Sequence, residues 1–291
     1  MRQYKTPLRY PGGKQRLSPF ILELIVENNL LGCDYVEPYA GGAGVALELL
    51  CSNKVKCIHL NDSSYPIYAF WKAVTTQPEE FCHRIKNASL TVDDWKKHRE
   101  IVKSPKAYDL FEVGYSTFYL NRCNRSGVLS GGLIGGLAQK GDDLMDARFP
   151  INELIRRIDV IASKKESIHI YNKDAEDFIV SVVPNLPANT FVYCDPPYFN
   201  KSEGLYLNRY KKQDHARLAK VIQENLVRDW VVSYDSAPEI LDYYSQRNFF
   251  IYDLKYNAAR VYYGKEVFIF SDSIRLPRRS SLPFIDKVIA S

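Results

Sequence analysis

The residues best suited to chemistry are Asp195, Pro196, Pro197 and Tyr198, in the stretch VYCDPPYFNKS that begins at Val192. An apolar run meets an acid, two prolines and two aromatic residues. The prolines remove two backbone donors and fix two φ angles, so a regular strand must end there. Proline at 197 leaves the Pro196 carbonyl without a competing local amide, and Asp195 supplies a second acceptor beside it. Two adjacent acceptors suit an amino group with two N–H donors. The Tyr198 ring can stack on the planar group that carries the amine, a contact worth roughly 1–3 kcal/mol. An exocyclic amine such as adenine N6 is a poor nucleophile because its lone pair is delocalised into the ring. Hydrogen bonds from its protons to Asp195 and the Pro196 carbonyl favour rehybridisation and aim the lone pair at an electrophile. Orientation and electrostatics suffice for this, with no metal and no covalent intermediate. Inside a duplex such an amine cannot reach a buried cofactor, so the base must be flipped out. The plain alternative is a strand-ending turn with an incidental acid and tyrosine.

A second chemical signal is Glu37-Pro38-Tyr39-Ala40-Gly41-Gly42-Ala43-Gly44, where a strand pattern turns into a helix pattern. Glycines there allow a tight fold and a close approach to a ligand, and the new helix offers free N–H groups to an anionic moiety. Asp62 ends the next strand about 20 residues on, the spacing at which a carboxylate can accept from a ribose hydroxyl. Together they suggest a nucleoside site, although the loop alone could be a tight turn with no ligand. A further glycine pair lies in Tyr10-Pro11-Gly12-Gly13-Lys14, where Lys14 follows the bend and can meet an anionic group.

These residues must be positioned by the elements around them. LSPFILELIVENNLL (17–31) has helical apolar spacing, with Ser18 as cap and Pro19 in the first turn. DYVEPYAGGAGVALELL reads as strand, turn and helix, KVKCIHLND as a strand, and PIYAFWKAVTTQPEEF as a helix closed near Pro78. This βαβα succession predicts a parallel, doubly wound sheet. From about Asp93 to Pro150 the style changes, through charged and aromatic helical segments to the glycine-dense NRSGVLSGGLIGGLAQKGDD, which reads as a recognition loop in an inserted subdomain. The α/β pattern then resumes with helices at INELIRRIDVIASKK and AEDFIVSVV and strands at SIHIYNKD and NTFVYCD. After the loop FNKSEGLYLNRYKK comes a helix at DHARLAKVIQENL, which Asp214 can cap. WVVSYD is a strand, and FFIYDLKYNAARVYYGKEVFIFS reads as two strands around a loop containing Tyr262, Tyr263 and Gly264.

The composition, 46% hydrophobic and 25% charged over 291 residues, supplies material for a large core. A net charge of +5 is compatible with a polyanionic partner without requiring one. The six cysteines form no C-x-x-C pair and the five histidines no H-E-x-x-H, so no metal site is expected. The N-terminus has no apolar signal core and no apolar run approaches the ~20 residues a bilayer span needs, so a cytoplasmic protein without membrane attachment is expected.

YPGGK, VEPYAGGAGVAL, the Asn61-Asp62 pair and VYCDPPY follow one another in the order and spacing of the Dam-type, class-α DNA adenine-N6 methyltransferases. DHARLA, SYDSAPEI and the closing KEVFIF add to the likeness, which runs from Tyr10 to about Phe270. The chain resembles that family. The resemblance implies an α/β fold: a Rossmann-like methyltransferase sheet of seven strands, the last antiparallel, with an inserted, mainly helical target-recognition subdomain. The catalytic domain would comprise residues 1–90 and 151–291 and the insertion residues 91–150. The implied cofactor is S-adenosylmethionine. Tyr10 and Lys14 would flank it, Glu37 and Gly41, Gly42 and Gly44 would approach its methionine part, Asp62 its ribose, and Asp174 in YNKDAEDF its adenine. Asp195, Pro196, Pro197 and Tyr198 would hold the flipped adenine, with Asp195 also near the cofactor. Two departures matter. Tyr10 stands where tryptophan is frequent, and NRCNRSGVLSGGLIGG differs from the best-known members, so their GATC target does not carry over.

In the insertion, Arg122, Asn124 and Arg125 have the donor geometry for base edges or phosphates. Lys140, Lys211 and Lys212 suit phosphate contacts, which position without specifying. Each could equally be a solvated surface group. The implied partner is double-stranded DNA, with a cognate restriction endonuclease in the same system, a monomeric or weakly dimeric state and a bacterial or phage-encoded setting as further expectations. The alternatives are an RNA or protein-amide N-methyltransferase, since the acceptor pair suits any planar amine, and a catalytically silent DNA-binding relative. Asn or Ser commonly replaces Asp before PPY in glutamine and cytosine enzymes, so Asp195 favours adenine.

Overall fold

The computed structural model of the chain describes residues 6–9, 14–200, 210–257, 261–277 and 289–290. Tyr10 with the rest of the Tyr10–Gly13 turn, and residues 201–209 of the loop after the DPPY corner, lie outside the described residues.

A 3₁₀ turn at Lys14–Leu17 leads into α1 (Ser18–Glu27), with Pro19 in its first turn where a missing N–H costs nothing. Ser18 is not the cap expected of it. It lies inside the helix, and Leu17 occupies the cap position without a side-chain bond. Next come β1 (Asp34–Glu37), α2 (Gly44–Cys51), β2 (Cys57–Asn61) and α3 (Tyr65–Thr76). Pro78 ends one helical pattern by opening another, α4 (Pro78–Lys86). The next two helices, α5 (Val92–Lys103) and α6 (Leu110–Cys123), are capped by Thr91 and Asp109, whose side chains accept from Asp94 N at 3.1 Å and Glu112 N at 2.8 Å. The chain continues through α7 (Ile151–Ala162), β3 (Ile168–Tyr171), α8 (Ala175–Ser181), β4 (Phe191–Cys194) and α9 (Lys212–Asn225). Asp214 stands at the third position of α9 and reaches back to accept from Lys211 N at 2.7 Å, so it closes the helix start from inside. The remaining elements are β5 (Asp229–Asp235), α10 (Pro238–Tyr243), β6 (Phe249–Asn257), β7 (Val261–Phe270) and a two-residue edge strand, β8 (Ile289–Ala290).

The sheet order is β3-β2-β1-β4-β5-β7-β6-β8. Strands β1 to β5 pair in parallel, and β7 lies antiparallel between β5 and β6. This is the Rossmann-like methyltransferase sheet, seven strands with the seventh reversed, extended by the short β8. Tyr262, Tyr263 and Gly264 belong to β7 rather than to a loop: Tyr262 pairs with Tyr256 and Gly264 with Leu254. Aromatic and β-branched residues favour pleated, paired backbone, and that preference continues the strand to Val261. The order reverses between β1 and β4, and open α/β sheets place their ligand crevice outside the carboxyl ends of the strands at such a point.

One face of the sheet, with Tyr35, Ile58, Leu60, Phe191 and Tyr193, packs on residues of α1, α2 and α3. The other, with Val36, Val192, Cys194 and Val232, packs on α8, α9 and α10. The first cluster runs on without a break into α6, through Phe70 and Trp71 of α3 to Phe118, Tyr119 and Leu120. Phe70 and Phe118 stack with centroids 6.1 Å apart, and burying each such ring contributes roughly 1.5–3 kcal/mol. A Cβ on Gly114 would lie 2.5 Å from the Ala69 carbonyl, so α6 meets α3 backbone to backbone. The helices of the 91–150 segment are thus joined to the main core.

Candidate active site

The glycine loop between β1 and α2 is held from three sides. Gly41 and Ala43 both adopt left-handed conformations, each with φ 46°, which bends the chain sharply before the helix begins. The Trp71 indole N–H donates to the Gly41 carbonyl at 2.9 Å. The Asp62 carboxylate accepts from Gly41 N and from Ser64 N, both at 2.9 Å. The Asn61 side chain donates to the Pro38 carbonyl at 3.0 Å and to the Lys173 carbonyl at 3.1 Å, tying together the loops that follow β1 and β3. Gly44 has no room for a side chain: a Cβ there would lie 2.9 Å from that of Gln15.

At the end of β1, the Glu37 carboxylate is 5% exposed and accepts from the Tyr35 hydroxyl and from Ala46 N, both at 3.1 Å. Burial pushes its carboxyl up to about 8. Asp195 stands at the end of the neighbouring β4 and accepts from the Ser233 hydroxyl at 2.8 Å. The Lys14 ammonium lies 3.7 Å from it. Burial raises the Asp195 carboxyl to about 6; Lys14 pulls it down, and the Glu266 carboxylate pushes it up. Burial likewise lifts Asp62 to about 6, against its two backbone hydrogen bonds.

Below Asp195, Lys14 and the Tyr198 hydroxyl both donate to Glu266, and Tyr252 donates to the same carboxylate at 2.7 Å. The Lys14 ammonium also sits 4.9 Å from the centroid of the Tyr198 ring. Asp235, at the end of β5, accepts from Phe199 N at 2.8 Å and Asn200 N at 2.9 Å, which fixes the chain as it leaves the Pro-Pro corner.

A cavity of about 330 Å³ opens over these groups. Its wall brings together Lys14, Glu37, Gly41, Gly42, Gly44, Asp62, Asp195 and Pro197, all singled out from sequence. Pro196 and Tyr198 are buried and do not line it. Asp174 is exposed and apart from the cavity; its carboxylate caps α8 by accepting from Glu176 N at 2.9 Å. The wall also includes Asn121 and the loop Gly127–Ser130, from the 91–150 segment.

Arg122 and Asn124 do not face solvent, contrary to their reading as DNA contacts. Arg122 is 6% exposed and donates to the Arg148 carbonyl at 2.5 Å and the Pro7 carbonyl at 3.4 Å. Asn124 is fully buried, accepts from the Trp95 indole at 2.7 Å and donates to the Val128 and Leu129 carbonyls at 2.8 and 3.0 Å. Both lie at the end of α6, which is buried almost all round, and their polar groups satisfy the loop folded over it. Arg125, Lys140, Lys211 and Lys212 are exposed, with Lys212 paired to Glu239 at 3.1 Å.

Sequence reasoning passed over Glu266, Trp71 and Asn121. Glu266 did carry a signal, as a lone acid inside the apolar KEVFIF strand. Asn121 donates to the Arg9 and Gly127 carbonyls at 2.8 and 2.9 Å, a long-range role no local pattern reveals.

A family model described as D12 class N6 adenine-specific DNA methyltransferase matches residues 10–259. The chain belongs to that family. As a D12 class methyltransferase it acts on DNA, and the matched span takes in the glycine loop, Asp62 and the DPPY corner. A search of curated proteins gave no match. Among the described residues no helix is long and apolar enough to cross a membrane.

Proposed function

We propose that this D12 class protein transfers a methyl group from S-adenosylmethionine to N6 of an adenine flipped out of double-stranded DNA, within a specific target sequence. The observation that carries this is the meeting of Asp195 with Glu37, Asp62 and the glycine loop in one cavity at the β1/β4 switch point. The donor set fits the cofactor: the ionised Asp195 carboxylate suits a sulfonium or an ammonium, Asp62 suits ribose hydroxyls, and Gly41, Gly42 and Gly44 leave the backbone open to close approach. When bound, the cofactor supplies an electrophilic methyl group.

The protein's own part is orientation. Asp195 and the Pro196 carbonyl accept from the two N6 protons and direct the nitrogen lone pair at the methyl carbon. With the cofactor bound, N6 would take up the methyl group it supplies, and the proton N6 then sheds would pass to the Asp195 carboxylate beside it. Asp195, raised to about 6, is ionised at neutral pH and sits against the amine as its positive charge develops. A quarter of the Asp195 side chain, 26%, is exposed and it lines the cavity, so an amine held in duplex DNA would have to be flipped out to reach it. Tyr198 is buried behind the corner, so it backs the acceptor pair rather than lying open to stack on the base.

The 91–150 segment serves as the target-recognition region, and its Gly127–Ser130 loop joins recognition to the cofactor wall. Arg125, Lys140, Lys211 and Lys212 provide phosphate contacts. A cytoplasmic monomer or weak dimer, with a restriction endonuclease sharing its target, is consistent with this role. Labelled cofactor offered with DNA, RNA and protein tests it. Label in N6-methyladenine of duplex DNA is the expected result, and label confined to RNA or to protein amide contradicts it.

A further inference from the structure

Glu266 is a carboxylate in the middle of an antiparallel strand, 1% exposed, opposite Asp235 on β5 and Tyr252 on β6. Removing a charge from water costs several kcal/mol, so an apolar residue would fill this strand position more cheaply. The acid's contacts give a reason for it. Tyr198, from the DPPY corner, donates to one carboxylate oxygen. Lys14, from the turn after the glycine pair, and Tyr252 donate to the other. Glu266 therefore joins two segments far apart in sequence directly beneath Asp195.

We propose that Glu266 is a positioning residue for methyl transfer, anchoring Tyr198 under the DPPY corner and holding the Lys14 ammonium away from the acceptor oxygens of Asp195. This rests on the reading of the cavity as an adenine-N6 transfer site. Lys14 lies within hydrogen-bond contact of Glu266 but 3.7 Å from Asp195. A charge-assisted N–H···O bond closes to about 2.7–2.9 Å, so Lys14 freed from Glu266 would draw in to Asp195 and occupy the lone pairs that the amine needs. Glu266 thus keeps a cation near enough to favour the ionised Asp195 and far enough to leave its oxygens free.

Among the described residues, the groups that act on Asp195 are Lys14 on the 3₁₀ turn, Glu37 on β1, Tyr193 and Cys194 on β4, Ser233 on β5, Tyr252 on β6, Glu266 on β7 and Tyr198 beyond the corner. Replacing Glu266 by glutamine removes the like charge that pushes the Asp195 carboxyl up and releases the cation that pulls it down. Both changes act in one direction, so the acid limb of the pH–rate profile moves to lower pH.

The test measures kcat, KM for cofactor and the pH–rate profile on a methylatable duplex, for wild type, Glu266→Gln, Glu266→Asp and Tyr198→Phe. In Glu266→Gln, kcat is expected to fall about tenfold or more, as for loss of a charged hydrogen-bond partner, with cofactor KM little changed and the acid limb displaced downward. Glu266→Asp keeps the charge and loses reach, so kcat falls while the limb moves less. Tyr198→Phe keeps both charges and lowers kcat with the limb unmoved. A Glu266→Gln enzyme with the wild-type limb, whether or not kcat falls, reduces Glu266 to scaffold and overturns the assignment. If that variant does not fold, Tyr198→Phe decides, and a wild-type kcat there overturns it. Wild-type protein that forms no N6-methyladenine overturns the parent reading and this assignment together, whereas an unmoved limb in an otherwise active system overturns this assignment alone.

Discussion

Glu37→Gln gives the sharpest physical test of the cavity. Burial lifts the Glu37 carboxyl to about 8, while in the unfolded chain it returns to about 4.3. Between those values the folded protein holds a proton that the unfolded chain has released, so stability must fall as pH rises. Among the described residues other groups cover other parts of the range. Asp62 and Asp195, raised to about 6, lose most of their protons by pH 7. His59, His98 and His215 are pulled down by burial, His98 to about 4, so their contribution rises with pH until about a unit above the unfolded histidine value of about 6.5. The raised cysteine thiols act only as the unfolded thiols begin to ionise, above about 8. Those groups are common to wild type and Glu37→Gln, so the difference between the two proteins from pH 6.5 to 8 isolates Glu37. At about 1.4 kcal/mol per pH unit for one proton, half of it lost by pH 8, wild-type stability should drop by about 1.6 kcal/mol relative to the variant across that range. Glutamine can still accept from Tyr35 and Ala46 N but does not titrate, so Glu37→Gln lacks this drop and its stability relative to wild type should rise from pH 6.5 to 8. Urea denaturation of both proteins at half-unit intervals reads this directly. Parallel slopes for the two proteins would refute the reasoning.

Asp62→Ala frees the N–H groups of Gly41 and Ser64, and calorimetry should show weaker S-adenosylmethionine binding; an unchanged Kd contradicts the cofactor role. Asn124→Ala strands the Trp95 indole N–H and two carbonyls, so unfolding stability should fall by on the order of 3 kcal/mol. Arg125→Ala should leave stability within about 0.5 kcal/mol but weaken DNA binding and reduce its salt slope by about one. A DNA-binding loss in Asn124→Ala without destabilisation would reverse the assignment of these two neighbours.

The βαβ succession and the chemistry-bearing corners were legible because they are local. An apolar run ending in Asp-Pro-Pro-Tyr has few structural solutions, and glycines between a strand and a helix pattern mark a turn wherever they occur. Side-chain direction was not local. Arg122 and Asn124 look like surface donors until α6 is seen wrapped by α3, α5 and the loop above it, since aromatic residues around the whole helix imply burial of its polar residues too. Asp174 sits at a helix start, where an acid is satisfied by capping alone. Glu266 meets Lys14 only because β7 inserts between β5 and β6, a reversal that no window of sequence spans. Glu37 was read as a loop-edge acid, and only the packing of Tyr35 and Ala46 around it reveals a carboxyl held largely protonated at neutral pH.

The central claim is that Asp195 orients an adenine amine for methyl transfer. Its most direct test is N6-methyladenine formed in duplex DNA by wild type and by Asp195→Ala, measured at saturating cofactor across pH 5 to 8. Wild type should form the modified base with activity falling away below about pH 6 as Asp195 takes up its proton. The variant should retain its fold and lose transfer by about 100-fold or more. An Asp195→Ala protein that methylates at the wild-type rate, or a wild-type rate flat through pH 6, would contradict the account.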